Sequence, residues 1–120
     1  MGKSKKKHAA GCTLDGRVLD QLYEVIESRR GADPTTSHTA KLFEKGPNKI
    51  AQKLGEEAVE AVIEAVRGDT AALTAESADL LYHLLVLWAA QGLEPAEVWA
   101  ALRDREGISG IAEKAARHQE

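Results

Sequence analysis

Residues 70–91 lie between two helix-stopping stretches, Gly68-Asp69 and Gly92, and from 73 to 90 they are apolar nearly all round a helical wheel. A helix of that kind in a water-soluble chain belongs inside the structure. Yet Glu76 and Asp79 stand within it, on one narrow sector shared with His83 and flanked by Leu80, Leu84 and Leu87. An ionised carboxylate in apolar surroundings is costly unless a base pairs with it, a proton neutralises it or a metal binds it. Any fold of this chain must therefore bring something cationic to Glu76 and Asp79.

The preceding segment supplies more acid rather than base. Pro47 suits the first turn of a helix and Gly68 its end, so residues 47–67 are expected to form a second long helix. At about 100° per residue, Lys53, Glu56, Glu57, Glu60 and Glu64 occupy one sector, and Leu54, Ala58, Val59, Ala61, Val62, Ile63 and Val66 fill the rest. A solvated stripe in which Lys53 supports Glu56 and Glu57 is the plain alternative. Against it, like charges at i and i+4, as in Glu56 with Glu60 and Glu60 with Glu64, repel unless a cation lies between them.

The short Gly68-Asp69 link makes the two long helices an antiparallel hairpin. Glu57 and Glu60 on one, Glu76 and Asp79 on the other, each pair three residues apart, then project toward a shared point. Lys53 alone cannot neutralise four carboxylates. Oxygen-only donors favour a hard divalent cation, so Glu57, Glu60, Glu76 and Asp79 are expected to hold magnesium, or manganese in its place.

The rest of the chain reads as helical too. Leu14, Val18, Leu22, Val25 and Ile26 recur at helical spacing and predict a packing helix over residues 15–30, stopped by Gly31 and Asp33-Pro34. Thr35-Thr36-Ser37 offers capping hydroxyls for a short helix over 39–44, which Gly46-Pro47 breaks. Asp69 or Thr70 caps the 70–91 helix, and a further helix starts at Pro95, carries Glu97 in its first turn and ends near Arg105. Residues 1–12 are expected to be a flexible basic tail, 13–106 the domain, and 107–120 a short helix or tail. His83, Trp88 and Trp99 fit core or interface positions. Lys41, Lys45, Lys49 and Lys53 form a basic ladder leading to the acidic sector, suited to a polyphosphate that approaches a metal.

A chain of 120 residues is near the lower limit for building a generous core alone, so a partner copy is expected. With 43% hydrophobic, 29% charged and only 4% aromatic residues the composition is that of a helical globular protein. Cys12 is the sole cysteine, which rules out an internal disulfide and a thiolate metal cluster. The longest apolar run, residues 80–90, is shorter than the roughly 20 residues that span a bilayer, and the basic start is not followed by an apolar segment. A cytoplasmic location without a membrane partner follows as the expectation. Net charge is −3 although Lys3, Lys5, Lys6 and Lys7 all lie in the first residues, so the folded part is acidic and nucleic acid is not an expected partner.

Glu56-Glu57-Ala58-Val59-Glu60, followed by Glu76-Ser77-Ala78-Asp79, resembles the paired-carboxylate motif of the all-α nucleoside triphosphate pyrophosphohydrolases. Ser37-His38-Thr39-Ala40-Lys41-Leu42-Phe43, Gly46, Lys49-Ile50, Lys53-Leu54-Gly55-Glu56-Glu57-Ala58 and Ala78-Asp79-Leu80-Leu81-Tyr82-His83-Leu84-Leu85 narrow the resemblance to the phosphoribosyl-ATP pyrophosphohydrolase family of histidine biosynthesis. The resemblance covers residues 14–105 and departs at His38, where the family usually has tyrosine.

It implies an all-α homodimer resembling a four-helix bundle around the hairpin. The implied reaction is hydrolysis of phosphoribosyl-ATP to phosphoribosyl-AMP and pyrophosphate by metal-activated water, with magnesium on Glu57, Glu60, Glu76 and Asp79. Glu56 would orient or deprotonate the water, or else serve as partner to Lys53. Lys53 would hold phosphate, with Lys49, Lys41 and Thr39 contacting substrate. Two other readings share these residues: a house-cleaning pyrophosphohydrolase of deoxynucleoside triphosphates, and a non-enzymatic helical dimerisation module.

Overall fold

The computed structural model describes residues 14–106 and Arg117, so the two expected end segments lie outside the described residues except for that one position. Among the described residues the chain is all-helical. Helix α1 spans Arg17–Ser28, α2 His38–Lys45, α3 Pro47–Arg67, α4 Thr70–Gln91 and α5 Pro95–Asp104. None of these helices is long and apolar enough to cross a membrane.

Local chemistry accounts for most boundaries. Ser37 accepts from the Ala40 N–H at 3.1 Å and starts α2, one residue earlier than its hydroxyl cluster alone indicates. Gly46 ends α2 and opens α3 at φ 94°, a conformation that a side chain would strain, so the chain turns sharply between two helices with no linker. Gly68 ends α3 at φ 77°, and Asp69 N–H closes back on the Glu64 carbonyl at 3.1 Å in a Schellman arrangement. The Asp69 carboxylate then accepts from Ala72 N–H at 3.0 Å and caps α4. Helix α5 has Pro95 in its first turn and a reciprocal capping box between Glu94 and Glu97.

Helices α3 and α4 form the expected hairpin and share the most extensive packing in the chain. The core, however, sits at one end of it. Tyr23 and Ile26 from α1, Leu42 from α2 and Ile50 from the start of α3 enclose Leu85, Val86 and Ala89 from the second half of α4. Two long-range ties lock this end: the Tyr23 hydroxyl donates to the Leu93 carbonyl at 3.0 Å, and Arg30 donates to the Ala89 carbonyl at 2.6 Å with its guanidinium 4.4 Å above the Phe43 ring.

Two expectations about burial are corrected. Leu14, Val18 and Val25 of the first amphipathic pattern are exposed, whereas Leu19, Leu22, Tyr23 and Ile26 face the core. The apolar spacing tolerated two overlapping stripes, and packing against α4 selected the one containing the tyrosine. Second, α4 is not enclosed on all sides within one chain: Ala71, Thr74, Ala75, Ala78, Asp79 and Leu81 are exposed along its first half. On α3 the apolar Val59, Val62, Ile63 and Val66 are turned outward, alongside Glu56, Glu60 and Arg67. Glu57, Ala58, Ala61 and Glu64 are half-buried. Over its distal half the hairpin thus leaves several large apolar side chains exposed while Glu57, Glu64 and Glu76 are half-buried.

Candidate metal centre

The antiparallel hairpin puts the middle of α3 beside the first half of α4, and there the carboxylates meet. Oxygens of Glu57, Glu76 and Asp79 all lie within 4.8 Å of one another. Glu60, one turn on from Glu57, is close enough to Glu76 to affect its protonation. Glu76 is pushed up to about 7, first by hydrogen bonding of its carboxyl with Glu57, then by burial, then by Glu60. Three of the four predicted metal ligands, Glu57, Glu76 and Asp79, are thus brought to one place, while Glu60 stands beside Glu76 without joining that group; Glu60 and Asp79 are both exposed, Asp79 in place of the burial expected for it.

The cluster has no built-in counter-charge. Among the described residues none of Glu57, Glu60, Glu76 or Asp79 forms a salt bridge: the ion pairs join Arg17 with Asp15, Arg30 with Glu27, Lys53 with Glu56 and Arg67 with Glu64. Oε1 of Glu57 and Oε1 of Glu76 are shut off from solvent without a donor. Ionised together, they would be uncompensated negative charge in a partly desolvated place, and a proton shared by Glu76 and Glu57 is the internal remedy. A divalent cation is the external one. The donor set, carboxylate oxygen only and open to solvent at Asp79, fits a hard ion that keeps some water.

Glu56 lies on the same helix but is engaged elsewhere. Gln52 donates to it at 2.9 Å and Lys53 stands 3.7 Å away. The Gln52 hydrogen bond, helped by the charges of Lys53 and Lys49, holds its pKa below the usual carboxylate range. Of the two roles considered for Glu56, its contacts are those of a partner to Lys53. His83 is a buried core residue whose Nδ1 lies 2.9 Å from the Asp79 carbonyl.

The basic ladder folds around the Gly46 corner. Lys41 and Lys45 from α2, Lys49 and Lys53 from α3, with His38 and Leu42, line a cavity of about 240 Å³. Thr39 is not part of that lining; its hydroxyl shares a 2.6 Å hydrogen bond with the Tyr82 hydroxyl on α4. Lys45 belongs to the basic ladder expected to face a polyphosphate, whereas His38 carries no expected substrate role. The four-residue spacing of the lysines was a usable signal for Lys45, but nothing local revealed that His38 shares their wall and stands 6.1 Å from the Tyr82 ring and 6.4 Å from the His83 ring.

Residues 19–106 match the family model described as Phosphoribosyl-ATP pyrophosphohydrolase. The chain belongs to this family. It is also similar to proteins named Phosphoribosyl-ATP pyrophosphatase: one from Azospirillum brasilense is 68% identical over 104 residues, covering 87% of this chain and 94% of the relative. One from Gluconobacter oxydans is 59% identical over 103 residues, covering 86% of this chain and 77% of the relative. A third, from Granulibacter bethesdensis, is 65% identical over 101 residues, covering 84% of this chain and 63% of the relative, so that protein is considerably longer. As a member of the phosphoribosyl-ATP pyrophosphohydrolase family the chain carries both the carboxylate cluster and the lysine-lined cavity inside the matched residues.

Proposed function

We infer that this chain hydrolyses phosphoribosyl-ATP to phosphoribosyl-AMP and pyrophosphate, a step of histidine biosynthesis. The reading rests on family membership together with one geometric observation: three carboxylates from facing helices converge within 4.8 Å, two of them with buried oxygens that lack a donor. Glu57, Glu60, Glu76 and Asp79 are the proposed magnesium ligands, with manganese as a substitute. Magnesium held there would supply Lewis acidity, polarising phosphoryl oxygens and acidifying water.

The chain's own groups do the rest. Lys53, one turn before Glu57 on α3, balances phosphate charge next to the cluster; Lys41 and Lys49 extend that positive field. Glu56, held ionised by Gln52 and Lys53, is the partner that positions the Lys53 ammonium beside the cluster. The water oxygen forms a bond to the α-phosphorus, the bond from that phosphorus to the α–β bridging oxygen breaks, and pyrophosphate leaves with the electron pair while a proton passes to solvent. Thr39 positions α2 against α4 through Tyr82.

The active form is a homodimer with a four-helix-bundle-like centre. Val59, Val62, Ile63 and Val66 on α3 and Leu81 on α4 are exposed in the single chain, on the hairpin that carries the carboxylates. A contiguous apolar surface of this kind favours a second copy as its cover. The dimer encloses α4 more fully and makes Asp79 less accessible.

The deciding experiment incubates the full chain with phosphoribosyl-ATP and, separately, with ordinary and deoxynucleoside triphosphates, following pyrophosphate release with magnesium and with a chelator. Selective, chelator-sensitive turnover of phosphoribosyl-ATP is expected. Preference for a deoxynucleotide would assign a house-cleaning role instead, and absence of turnover with all of them would leave only the non-enzymatic reading.

A further inference from the structure

Among the described residues His83 is the one buried polar side chain, 6% exposed, and the hydrolytic reading leaves it without a task. Its two ring nitrogens are differently placed. Nδ1 lies 2.9 Å from the Asp79 carbonyl oxygen, and because a carbonyl only accepts, Nδ1 carries a hydrogen and donates it. In that tautomer Nε2 is a lone-pair acceptor, and it is shut off from solvent without a donor. A buried acceptor left unpaired is costly, so the groups packed around the ring decide what its partner is.

Tyr82 stands nearly perpendicular to His83, with ring centroids 5.0 Å apart, but its hydroxyl is engaged with Thr39. His38 is the other aromatic neighbour. The first residue of α2, it stacks on Tyr82 and stands at 86° to His83 with centroids 6.4 Å apart, and among the described residues its ring nitrogens have no hydrogen bond. Burial, and after it the charges of His83, Lys53, Lys41 and Lys45, hold the His38 pKa below the usual imidazole value, so at neutral pH the ring has one N–H to give. At 6.4 Å between centroids the rings are too far apart for a direct hydrogen bond of about 2.9 Å and at the span that one bridging water covers.

We propose that His83 is a positioning residue for Asp79: its Nδ1–H holds the Asp79 carbonyl, and the His38 N–H, through one bridging water, holds the His83 ring from the other side. This rests on the reading of Asp79 as a metal ligand given above. Asp79 is the exposed member of the three converging carboxylates and among the described residues has no salt bridge, so its placement depends on how firmly its turn of α4 is held. The buried ring holds that turn through the main chain. The same relay joins α4 to the first turn of α2, beside the direct tie between Thr39 and Tyr82. A ligand fixed before the cation arrives loses less freedom on binding it, so His83 acts on metal affinity and touches none of the reacting atoms.

Two measurements on the full chain test this. Heteronuclear NMR of the histidine ring nitrogens, in chelator, reads the relay without turnover. It should show His83 in the Nδ1–H tautomer with a hydrogen-bonded Nε2. His38→Phe alters an exposed side chain and should return the Nε2 signal toward that of a free lone pair, while His38→Tyr, which restores a donor, should reverse the change. Magnesium calorimetry reads the consequence. His83→Phe keeps the bulk of the ring without its nitrogens and should weaken magnesium by about tenfold or more, the usual cost of losing an outer-shell partner; His83→Asn, with an N–H where Nδ1 stood, should recover most of that loss. Circular dichroism checks that each variant folds, and His38→Phe should weaken magnesium in the same direction. An Nε2 signal indifferent to His38→Phe, or magnesium affinity unchanged in His83→Phe, overturns the proposal even where the unaltered chain hydrolyses phosphoribosyl-ATP. Weakened magnesium in His83→Phe, with no hydrolysis by the unaltered chain, would refute the function and retain the positioning role.

Discussion

Glu57 and Glu76 face each other across the α3–α4 hairpin, each with an Oε1 shut off from solvent and neither with a basic partner. Hydrogen bonding with Glu57 and burial push the Glu76 carboxyl up to about 7, which makes the site's stability depend on pH. Glu76 titrates near 7 in the folded chain against an ordinary value of 4.5, so between those values the folded state binds more protons than the unfolded one. Its contribution to stability is complete below about 4.5 and is lost as pH rises through about 7. Denaturant melts in chelator over that range should show falling stability with rising pH, and Glu76→Gln should remove that component. A profile identical in the variant would contradict the shared proton.

Magnesium competes for the same oxygens. Its apparent affinity, followed by calorimetry, should weaken as pH falls below about 7, because binding must displace the Glu76 proton. PH-independent affinity would separate the cation from Glu76.

Glu76→Gln and Asp79→Asn each remove a charged ligand from the proposed set. Loss of an outer-shell partner in metal sites typically costs about 10–100-fold, so loss of a direct ligand should lower kcat/KM by at least about 100-fold. The protein should stay folded, and without metal it should resist denaturant at least as well as the unaltered chain at neutral pH, since like-charge repulsion is reduced. Substantial activity in either variant would remove that residue from the ligand set.

Val62 is 62% exposed in the single chain, among the apolar side chains proposed to face a second copy. Val62→Lys places charge in that face and should shift sedimentation from dimer to monomer, with activity falling in parallel. A variant that remains dimeric would move the interface elsewhere.

The hydroxyl pair of Thr39 and Tyr82 ties the lysine-bearing α2 to the carboxylate-bearing α4. Tyr82→Phe should cost about 1 kcal/mol of stability, the usual net worth of such a bond, and raise KM more than it lowers kcat. An unchanged KM would mean that this tie does not position the substrate lysines.

Helix limits were legible because they are written in nearby residues: Ser37, Gly46-Pro47, Gly68-Asp69, Gly92 and Glu94-Pro95 each act on their own turn. The carboxylate cluster was legible for a related reason, since two i, i+3 pairs on a tight hairpin have few ways to avoid one another. Burial was not. Which stripe of α1 faces inward depends on α4, and the exposure of Val59, Val62 and Asp79 is set by what one chain alone can cover. His38 beside Lys53 and His83 likewise depends on how sharply Gly46 turns the chain.

Tyr23, Ile26, Leu85, Val86 and Ala89 fasten one end of the hairpin, while the acids occupy the stretch nearer its Gly68 tip. Scaffold and chemistry are thereby set apart: amide protons around Leu85 should exchange only with opening of the whole domain, whereas those around Glu60 and Ala72 should exchange through local fraying of the tip. A substitution among the acids can therefore abolish the chemistry and leave the molecule that carries it folded.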